Sequence, residues 1–362
     1  MEKFELFDLG FEGTTIRDCL RFRKEKISNA IVFDDNGTYG STYCGYSSLK
    51  NSKYVKDCTL NKGSGESKLL LEAFPAVFRP TDRHMAELEG AGMMGFLRLI
   101  KIQKHFYIDS SGKIYKIPYT KTEIADSDIL SLREKYLVGS LLKGRLTFEN
   151  VYKKLSEKTR EILTNGIIGE AKDYSERMFR YARNFGNVPF LYPEYGLKEI
   201  SEMFSRSNSM CGAGYVLDSA LVITCRDGKS SDAFSLKQNG GEPIPSEYMY
   251  RIDTTYGTIF TKKVIRTEYK ELVSYVRVVN TRRPILSKTF FAFAQRESIM
   301  KLIGLNSDTE CCPEGTYLIY IIKSDGPVVE EDLKFLRIEE KDIVEDISYQ
   351  TKFSFVFDSL EI

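Results

Sequence analysis

Apolar and polar residues alternate with a period of two near the amino terminus, and the pattern predicts a strand, a turn, a helix and a second strand. The first strand is predicted over residues 4–9, FELFDL, with Gly10 and Gly13 at the turn that follows. The second strand is the apolar run at residues 31–33, which ends at Asp34. This order is typical of the first βαβ unit of a dinucleotide-binding fold, in which an acid at the position of Asp34 binds a ribose.

The glycine turn of this unit departs from the nucleotide-binding fingerprint. That fingerprint requires a third glycine, whereas here the third glycine is missing and Glu12 lies within the turn. A carboxylate that faces two phosphates repels them, so we expect a scaffold without a cofactor, in which Gly10, Gly13 and Asp34 are vestiges of the fingerprint. The alternative from another functional class is a flavin-dependent oxidoreductase with a bound flavin or nicotinamide.

The stretch between this unit and Pro118 combines polar loops with short strands. Residues 41–66 are rich in serine, glycine and other polar residues, which predicts a long surface loop. Residues 105–108 and 113–117 alternate on either side of the sequence DSSG, which predicts a β-hairpin. We therefore assign residues 1–118 to the first part of a sheet domain.

After Pro118 the apolar period changes from two to about three and a half, which predicts helices. Three amphipathic patterns follow one another without a strand between them. We expect residues 119–185 to form a small all-α domain, inserted between two parts of the sheet domain. The helical patterns lie at residues 129–141, 148–162 and 167–185.

Strand patterns return in the carboxyl-terminal half, and we assign residues 186–362 to the second part of the sheet domain. The predicted fold class is therefore α/β, with a Rossmann-type βαβ unit and a mixed sheet. The strands predicted at residues 220–225 and 233–236 flank an RDGK turn and are expected to form a hairpin. The predicted strands lie at residues 220–225, 233–236, 273–279, 290–294, 316–322 and 352–357.

Residues 186–218 carry the most informative pattern of the chain, a loop followed by a helix and a strand. Apolar residues recur at intervals of three and four from Leu197 onwards, which predicts a helix about ten residues long. Glu199 and Arg206 lie seven residues apart, so two turns place them on one surface, about 10 Å apart. In the alternative interpretation, Arg206 pairs with Glu202 on an ordinary solvated face.

Glycine and tyrosine recur after this helix and after the first βαβ unit. Gly212 and Gly214 permit a tight turn into an apolar strand that begins at Tyr215 and Val216. Tyr39 lies in the polar turn DDNGTYGS, and on this pattern alone it is a turn tyrosine that packs on its own loop.

Composition and charge exclude several classes of protein. The 362 residues are 42% hydrophobic and 28% charged with a net charge of +1, which is typical of a globular protein and unfavourable for a nucleic-acid surface. The spacing of the seven cysteines fits neither a zinc site nor a redox motif, so we expect reduced, mostly buried thiols in a cytoplasmic protein. His84 and His105 are too few for a usual metal site, and we expect both to be structural or on the surface. No apolar run is long enough to span a membrane.

Residues 186–218, GNVPFLYPEYGLKEISEMFSRSNSMCGAGYVLD, resemble the signature segment of the superfamily of Rab GDP-dissociation inhibitors and Rab escort proteins. The shared features are an aromatic run, a Gly-x-Glu pair that opens a helix, an arginine seven residues on, and a glycine turn into tyrosine. The segments LGFEGTTIRDCL, DDNGTYGS and HFYIDSSGKIYKIP resemble the superfamily's opening segment, its DRNPYYGG turn and its GKIYKVP hairpin. The resemblance implies the fold of FAD-containing monooxygenases and oxidases, used without flavin chemistry.

The resemblance also implies a function and a set of binding residues. It places Tyr39, Glu199, Arg206, Tyr215 and Val216 in a platform that binds GDP-bound Rab GTPases; methionine is usual where this chain has Val216. It implies that the helical domain shields a geranylgeranyl tail, and that the protein is a cytoplasmic regulator without catalytic residues that contacts membranes transiently. Two activities stay open: an escort protein presents Rab to geranylgeranyltransferase, and a dissociation inhibitor recycles prenylated Rab. The sequences GNVPF and CCPEGTYLIYI resemble the escort branch more closely.

Overall fold

Two large sheets and a group of short helices make up the fold. The computed structural model describes residues 5–16, 18–19, 22, 29–34, 37–102, 104–168, 178, 181–183, 185–186, 188–217, 222–226, 244–254, 256–266 and 273–351. The strands are β1 Glu5–Glu12, β2 Ala30–Phe33, β3 Thr42–Cys44, β4 Val55–Lys62, β5 Leu70–Glu72, β6 Leu99–Ile102, β7 His105–Ile108, β8 Ile114–Lys116, β9 Phe190–Pro193, β10 Ala213–Val216, β11 Val222–Cys225, β12 Tyr250–Thr254, β13 Gly257–Arg266, β14 Ser274–Thr281, β15 Phe290–Gln295, β16 Ile299–Asn306, β17 Tyr317–Lys323 and β18 Ile343–Thr351. The labelled helices are α1 Gly45–Lys50, α2 Arg83–Gly90, α3 Lys121–Ala125, α4 Leu132–Leu142, α5 Phe148–Tyr152, α6 Glu157–Leu163, α7 Lys198–Met210 and α8 Glu330–Phe335.

The first sheet confirms the predicted βαβ unit. Its strand order is β10-β2-β1-β13-β12-β11, and β1 is parallel to both β2 and β13. Between β1 and β2, residues Ile16, Cys19 and Phe22 are helical. All four residues of β2 are buried, as expected of a parallel strand that is covered on both faces, and this explains the unbroken apolar run AIVF.

The two glycines that follow the first predicted strand have different roles. β1 extends beyond the predicted residues 4–9, and Gly10 lies within it, paired with Val264 of β13. A Cβ added at Gly10 would lie 3.1 Å from Cδ1 of Ile252, so close packing accounts for this glycine. Gly13 has a φ of +105° and lies at the turn. The turn prediction is therefore wrong for Gly10 and confirmed for Gly13.

The second sheet has the strand order β4-β18-β14-β17-β16-β15-β7-β8. Its pairs are antiparallel except for β15 and β7, which run parallel. It contains the predicted hairpin as β7 and β8, and the predicted strands at residues 273–279, 290–294 and 316–322 as β14, β15 and β17. The predicted strands at residues 233–236 and 352–357 lie outside the described residues, and the described partner of β11 is β12.

Residues 41–66, predicted to be a long surface loop, instead include β3, α1 and β4. β4 lies at the edge of the second sheet, and its burial alternates along the sequence VKDCTLNK. An edge strand with one face towards solvent carries polar residues, so its composition imitates that of a loop. The strands β12, β13, β16 and β18 were also absent from the prediction.

The helix predicted at residues 129–141 is present as α4, whereas the next predicted helix is divided. The predicted helix at residues 148–162 is divided into α5 and α6, because Ser156 begins a new helix: its hydroxyl accepts a hydrogen bond from the backbone N–H of Thr159 (3.3 Å). The predicted helix at residues 167–185 lies largely outside the described residues. Helices α4 to α6 share a hydrophobic cluster with the hairpin of β7 and β8. The domain boundaries at residues 118 and 185 stay predictions.

All seven cysteines are free thiols. Cys19, Cys311 and Cys312 are buried, but Cys44 and Cys211 are exposed, so the expectation of mostly buried thiols is wrong for the last two. In the part of the chain that the structure describes, no group of three or more His, Cys, Asp or Glu residues is arranged to hold a metal ion. Among the described helices, none has the length and apolar character needed to cross a membrane.

His105 is a structural residue, as expected. It is buried among the rings of Tyr181, Phe190 and Phe291, at centroid distances of 5.3 to 5.8 Å. Burial lowers the pKa of His105 to about 3, so the imidazole is neutral at physiological pH. The side chain of His84 lies outside the described part of the structure.

We expect Gly304→Ala in β16 to destabilise the second sheet. Gly304 lies opposite Phe290 of β15, and an added Cβ would overlap Cε1 of that ring, so the ring or the strand must shift. Overpacking of this kind lowers the free energy of unfolding by roughly 1–3 kcal/mol, which urea denaturation measures. Gly95→Ala is the matched control, because nothing lies within 4 Å of a Cβ at that position. Equal losses for the two variants would contradict the assigned packing.

Candidate partner-binding surface

Helix α7 presents the two charged residues that the sequence singled out. Its 13 residues exceed the predicted ten. Ile200 and Phe204 are completely buried and anchor one face in a hydrophobic cluster that also contains residues of β17 and β18. Glu199 is partly buried and Arg206 is exposed on the remaining surface, so the helix is amphipathic as predicted.

The start of α7 is capped by residues from elsewhere in the chain. Leu197, at the N-cap position, has helical dihedral angles and offers no side-chain acceptor. Its backbone N–H donates to Oε1 of Glu72 (2.8 Å), and the backbone N–H of Lys198 donates to Oγ1 of Thr42 (2.9 Å). These bonds satisfy two donors that the beginning of a helix otherwise leaves without a partner.

Glu72, at the end of β5, is completely buried and accepts hydrogen bonds from several directions. The Thr42 hydroxyl lies 2.9 and 2.8 Å from its two oxygens, and the Tyr192 hydroxyl donates to Oε1 at 3.2 Å. Burial raises the pKa of Glu72 to about 7, and the hydrogen bonds from Leu197, Thr42 and Tyr192 oppose that rise. Glu72 was not among the predicted site residues, although an acid within the apolar run LLLEAF is a signal that could have identified it.

The loop of Tyr39 packs against the start of α7. Gly40 has a φ of +77°, and a Cβ there would lie 2.8 Å from Oγ of Ser201 and 3.3 Å from Cα of Lys198. The backbone N–H of Gly40 donates to Oγ1 of Thr14 (3.1 Å). Both the backbone conformation and the close approach favour glycine, and together they hold Tyr39 beside the helix.

Tyr39 and Tyr215 form an edge-to-face pair, with ring centroids 5.7 Å apart. Nδ2 of Asn208, on α7, donates to the Tyr215 hydroxyl (3.1 Å). Burial raises the pKa of both tyrosines, so both hydroxyls stay protonated and are able to donate to a partner. Tyr39 therefore packs against another predicted platform residue and not only on its own loop.

Arg206 lies over the ring of Phe96, with Cζ 4.6 Å from the ring centroid. Within the described residues, no ion pair joins Arg206 to Glu202, which was the alternative interpretation of the sequence. Arg206 makes this cation–π contact instead. Oε2 of Glu199 accepts a hydrogen bond from the backbone N–H of Tyr195 (3.1 Å). Burial raises the pKa of Glu199, since the carboxylate is partly withdrawn from water.

The side chain of Val216 packs in a different cluster from that of its neighbour Tyr215. Val216 pairs with Phe33 of β2, and its partly buried side chain packs in a cluster that contains Ile31 and Phe33. Tyr215 packs in a different cluster, which contains Val32, because successive residues of a strand point to opposite faces of the sheet. A contact between Val216 and a partner stays a prediction.

Acidic side chains occupy the turn where a dinucleotide would bind. Oδ2 of Asp34 accepts hydrogen bonds from the backbone N–H (2.9 Å) and the hydroxyl (2.7 Å) of Thr14, and Nζ of Lys53 lies 2.8 Å from its other oxygen. Oδ2 of Asp18 accepts from the backbone N–H (3.0 Å) and the hydroxyl (2.7 Å) of Thr15. A pyrophosphate would need these same backbone donors and would meet two carboxylates. The residues present therefore do not fit a flavin or nicotinamide cofactor.

The fold is shared with solved structures. The crystal structure of a Rab GDI from Plasmodium falciparum matches 97% of this chain and 91% of its own, with a TM-score of 0.69 and 18% identity. An oxidoreductase from Methanosarcina mazei matches 96% of this chain and 89% of its own, with a TM-score of 0.52 and 13% identity. The class of fold is therefore the FAD-dependent-oxidoreductase-like α/β fold that was predicted.

Sequence comparisons find relatives with similar sequences. The family model described as GDP dissociation inhibitor matches residues 164–248. The human protein "Rab proteins geranylgeranyltransferase component A 1" is 23% identical over 258 residues, which cover 62% of this chain and 39% of that protein. The "Probable secretory pathway GDP dissociation inhibitor 1" of Schizosaccharomyces pombe is 25% identical over 302 residues, 68% of this chain and 66% of its own. The chain is therefore similar to Rab GDP-dissociation inhibitors and Rab escort proteins. It spans less than two thirds of the length of the curated relatives that it matches.

We expect the contribution of Glu72 to stability to decrease as the pH rises. In the unfolded chain Glu72 loses its proton near its ordinary pKa of 4.5, whereas burial raises the pKa in the folded chain to about 7. Between these values the folded chain binds the additional proton, so the free energy of unfolding falls with rising pH, by about 3 kcal/mol in total. Urea denaturation at about pH 5 and about pH 8 compares the wild type with Glu72→Gln, which cannot ionise.

Glu66→Gln is the matched control for this measurement. Glu66 is exposed between β4 and β5, so its substitution should leave the pH profile of the wild type unchanged. Parallel profiles for the wild type and Glu72→Gln would contradict the raised pKa.

Proposed function

We propose that this protein binds GDP-bound Rab GTPases and inhibits the dissociation of GDP, as a regulator that is not itself an enzyme. The observation that carries the proposal is the partner-binding surface, which we define as Tyr39, Glu199, Arg206 and Tyr215. It combines the tyrosine pair with the charged residues of α7. Three of its four residues lie within residues 164–248, which match the GDP dissociation inhibitor family. The names of the relatives agree with this role.

Such a surface would distinguish the nucleotide states of a GTPase. The switch loops of small GTPases are ordered by the γ-phosphate and magnesium and are released in the GDP state. A surface that fits only the released loops stabilises the GDP-bound form selectively, so the loss of GDP slows. Arg206, held in place by Phe96, offers a planar set of donors to carboxylate or carbonyl groups of the switches. Glu199 and the two tyrosine hydroxyls complete the polar contacts, and Val216 is proposed to add an apolar one.

The helical part of the chain is proposed to shield the geranylgeranyl tail of the GTPase. Helices α4 to α6 share one hydrophobic cluster with β7 and β8, and Leu132 and Tyr136 of α4 are 86% and 73% exposed. Shelter from water stabilises an isoprenoid by up to about 0.8 kcal/mol per buried carbon, so even partial burial competes with a membrane. On this basis the protein is cytoplasmic, moves Rab between cytosol and membranes, and contacts membranes only transiently.

We expect Arg206→Ala to weaken the inhibition of GDP release from a GDP-loaded Rab. Truncation of an arginine at the centre of an interface costs roughly 2 kcal/mol, or about 30-fold in affinity. The release of a fluorescent GDP analogue, measured at increasing concentrations of this protein, gives that affinity. Arg282→Ala is the control, because Arg282 is exposed just beyond β14 in the second sheet and should leave inhibition intact. Undiminished inhibition by Arg206→Ala would remove Arg206 from the interface.

Within this function we favour an escort protein over a recycling inhibitor. The human relative is named as component A of the geranylgeranyltransferase for Rab proteins, and the sequences GNVPF and CCPEGTYLIYI resemble the escort branch. The alternative, a recycling GDP-dissociation inhibitor, is supported by the S. pombe relative, which matches 68% of this chain. An escort protein would also contact Rab geranylgeranyltransferase.

We expect the prenylation of unmodified Rab by geranylgeranyltransferase to depend on this protein. An escort protein presents Rab to the transferase, so incorporation of labelled geranylgeranyl should stay at background without it and rise with its concentration until Rab is saturated. Arg206→Ala should shift that rise to higher concentrations, by the same factor as its loss of affinity. Incorporation that is independent of the protein would exclude the escort activity and favour the recycling inhibitor.

A further inference from the structure

One buried carboxylate connects the two sides of the partner-binding surface. Glu72 belongs to β5, which pairs with β3, and it lies opposite Thr42 in that pair. Glu72 accepts the backbone N–H of Leu197 directly, and Thr42 accepts that of Lys198. Tyr192 of β9 donates to the same carboxylate. Three strands and the start of α7 therefore meet at one side chain.

The same contacts extend to Tyr39. Gly40, the next residue, lies against Lys198 and Ser201 of α7, with the close distances that exclude a side chain. Thr42, two residues further along, is bonded both to Glu72 and to the first backbone N–H of the helix. The loop and the helix are thus fixed to each other through Thr42, and Thr42 is fixed by Glu72.

We propose that Glu72 is a positioning residue of the partner-binding surface: its ionised carboxylate holds the Tyr39 loop against the start of α7 in the arrangement that a GDP-bound GTPase recognises. This inference rests on the proposed function. Glu72 is completely buried and touches no partner itself, so it acts through Tyr39 on one side and through Glu199 and Arg206 on the other.

The charge of Glu72 matters for two reasons. An ionised carboxylate accepts hydrogen bonds from all of its donors at once, and its negative charge lies at the positive end of the α7 dipole. A protonated carboxyl must donate its own hydrogen, and the Thr42 hydroxyl is an acceptor within reach. The bond between Glu72 and Thr42 then reverses, and the attraction for the helix start is lost.

One charged side chain and several titratable groups face Glu72. Lys198 is the charged side chain that acts on it from α7. Burial raises the pKa of Glu72 to about 7, against the smaller opposing effect of Lys198, so Glu72 changes charge near neutral pH. The other titratable neighbours are neutral because burial raises their pKa values: Tyr192, Tyr320, Tyr349 and Cys311.

The affinity for a GDP-loaded Rab, measured by calorimetry between about pH 6 and about pH 8, tests this role. If only the ionised form of Glu72 binds, the affinity of the wild type falls about tenfold as the pH decreases from about 8 to about 6, because the ionised fraction decreases. Glu72→Gln should bind at the weak, low-pH level throughout, because its amide donates to Thr42 as the protonated carboxyl does. The difference between the two profiles isolates Glu72, since Glu199 and the groups of the GTPase titrate in both. Glu66→Gln should retain the wild-type profile.

Amide hydrogen exchange of the wild type without a partner gives a second measurement, which does not depend on how well a variant folds. After correction for intrinsic exchange, the protection of the Leu197 and Lys198 amides should decrease as the pH falls from about 8 to about 6. Protection in the central strand β17, which reports global unfolding, should instead increase over the same fall in pH, because the free energy of unfolding rises as Glu72 takes up its proton.

The outcomes distinguish the positioning role of Glu72 from the proposed binding of GDP-bound Rab. Binding by Glu72→Gln that equals the wild type at about pH 8, or that follows the wild-type profile, would overturn the positioning role, and so would constant protection at the start of α7. A wild type that binds no GDP-loaded Rab at about pH 8 would instead overturn the proposed function. In that case the exchange measurement still decides whether Glu72 holds the helix start.

Discussion

Burial of the Glu72 carboxylate is the constraint on which the arrangement of the surface depends. Removing a carboxylate from water is strongly unfavourable unless its oxygens accept hydrogen bonds, and here the donors come from β3, β9 and the start of α7. None of these donors is close to Glu72 in sequence, so the acid can be satisfied only in the complete fold. The hydrophobic cluster around it also contains residues of β17, β18 and α7, which ties the surface to the core of the second sheet.

The turn of the first βαβ unit supports a neighbouring loop. In a dinucleotide-binding protein the backbone donors of this turn face a pyrophosphate. Here Asp34 and Asp18 accept the hydrogen bonds of Thr14 and Thr15. The Thr14 hydroxyl also accepts the backbone N–H of Gly40, so this turn fixes the loop of Tyr39. A scaffold shared with an oxidoreductase thus positions the loop of Tyr39, which we propose to bind a protein partner.

Local patterns predicted the elements that repeat one period over several residues, and long-range contacts decided the rest. The βαβ unit, the β7–β8 hairpin and α7 were predicted because each carries a regular apolar pattern over several residues. The edge strand β4 was missed because its exposed residues are polar. Gly214 lies in β10 and not in a turn, and the absence of a side chain there leaves space for Ile31. Among the surface residues, the motif indicated Tyr39, Glu199, Arg206 and Tyr215, but the role of Glu72 depends on partners far away in the sequence, which no local pattern contains.

The position of β1 has a consequence for synthesis of the protein on the ribosome. β1 lies between β2 and β13, and its register pairs Glu5 with Ile259, so one edge of the first strand has no partner until most of the chain has been translated. An unpaired strand edge can pair with other nascent chains. Contacts between residues so far apart in sequence also form slowly. We therefore expect chaperones to bind the growing chain. A chain that terminates before β13 would expose that edge permanently.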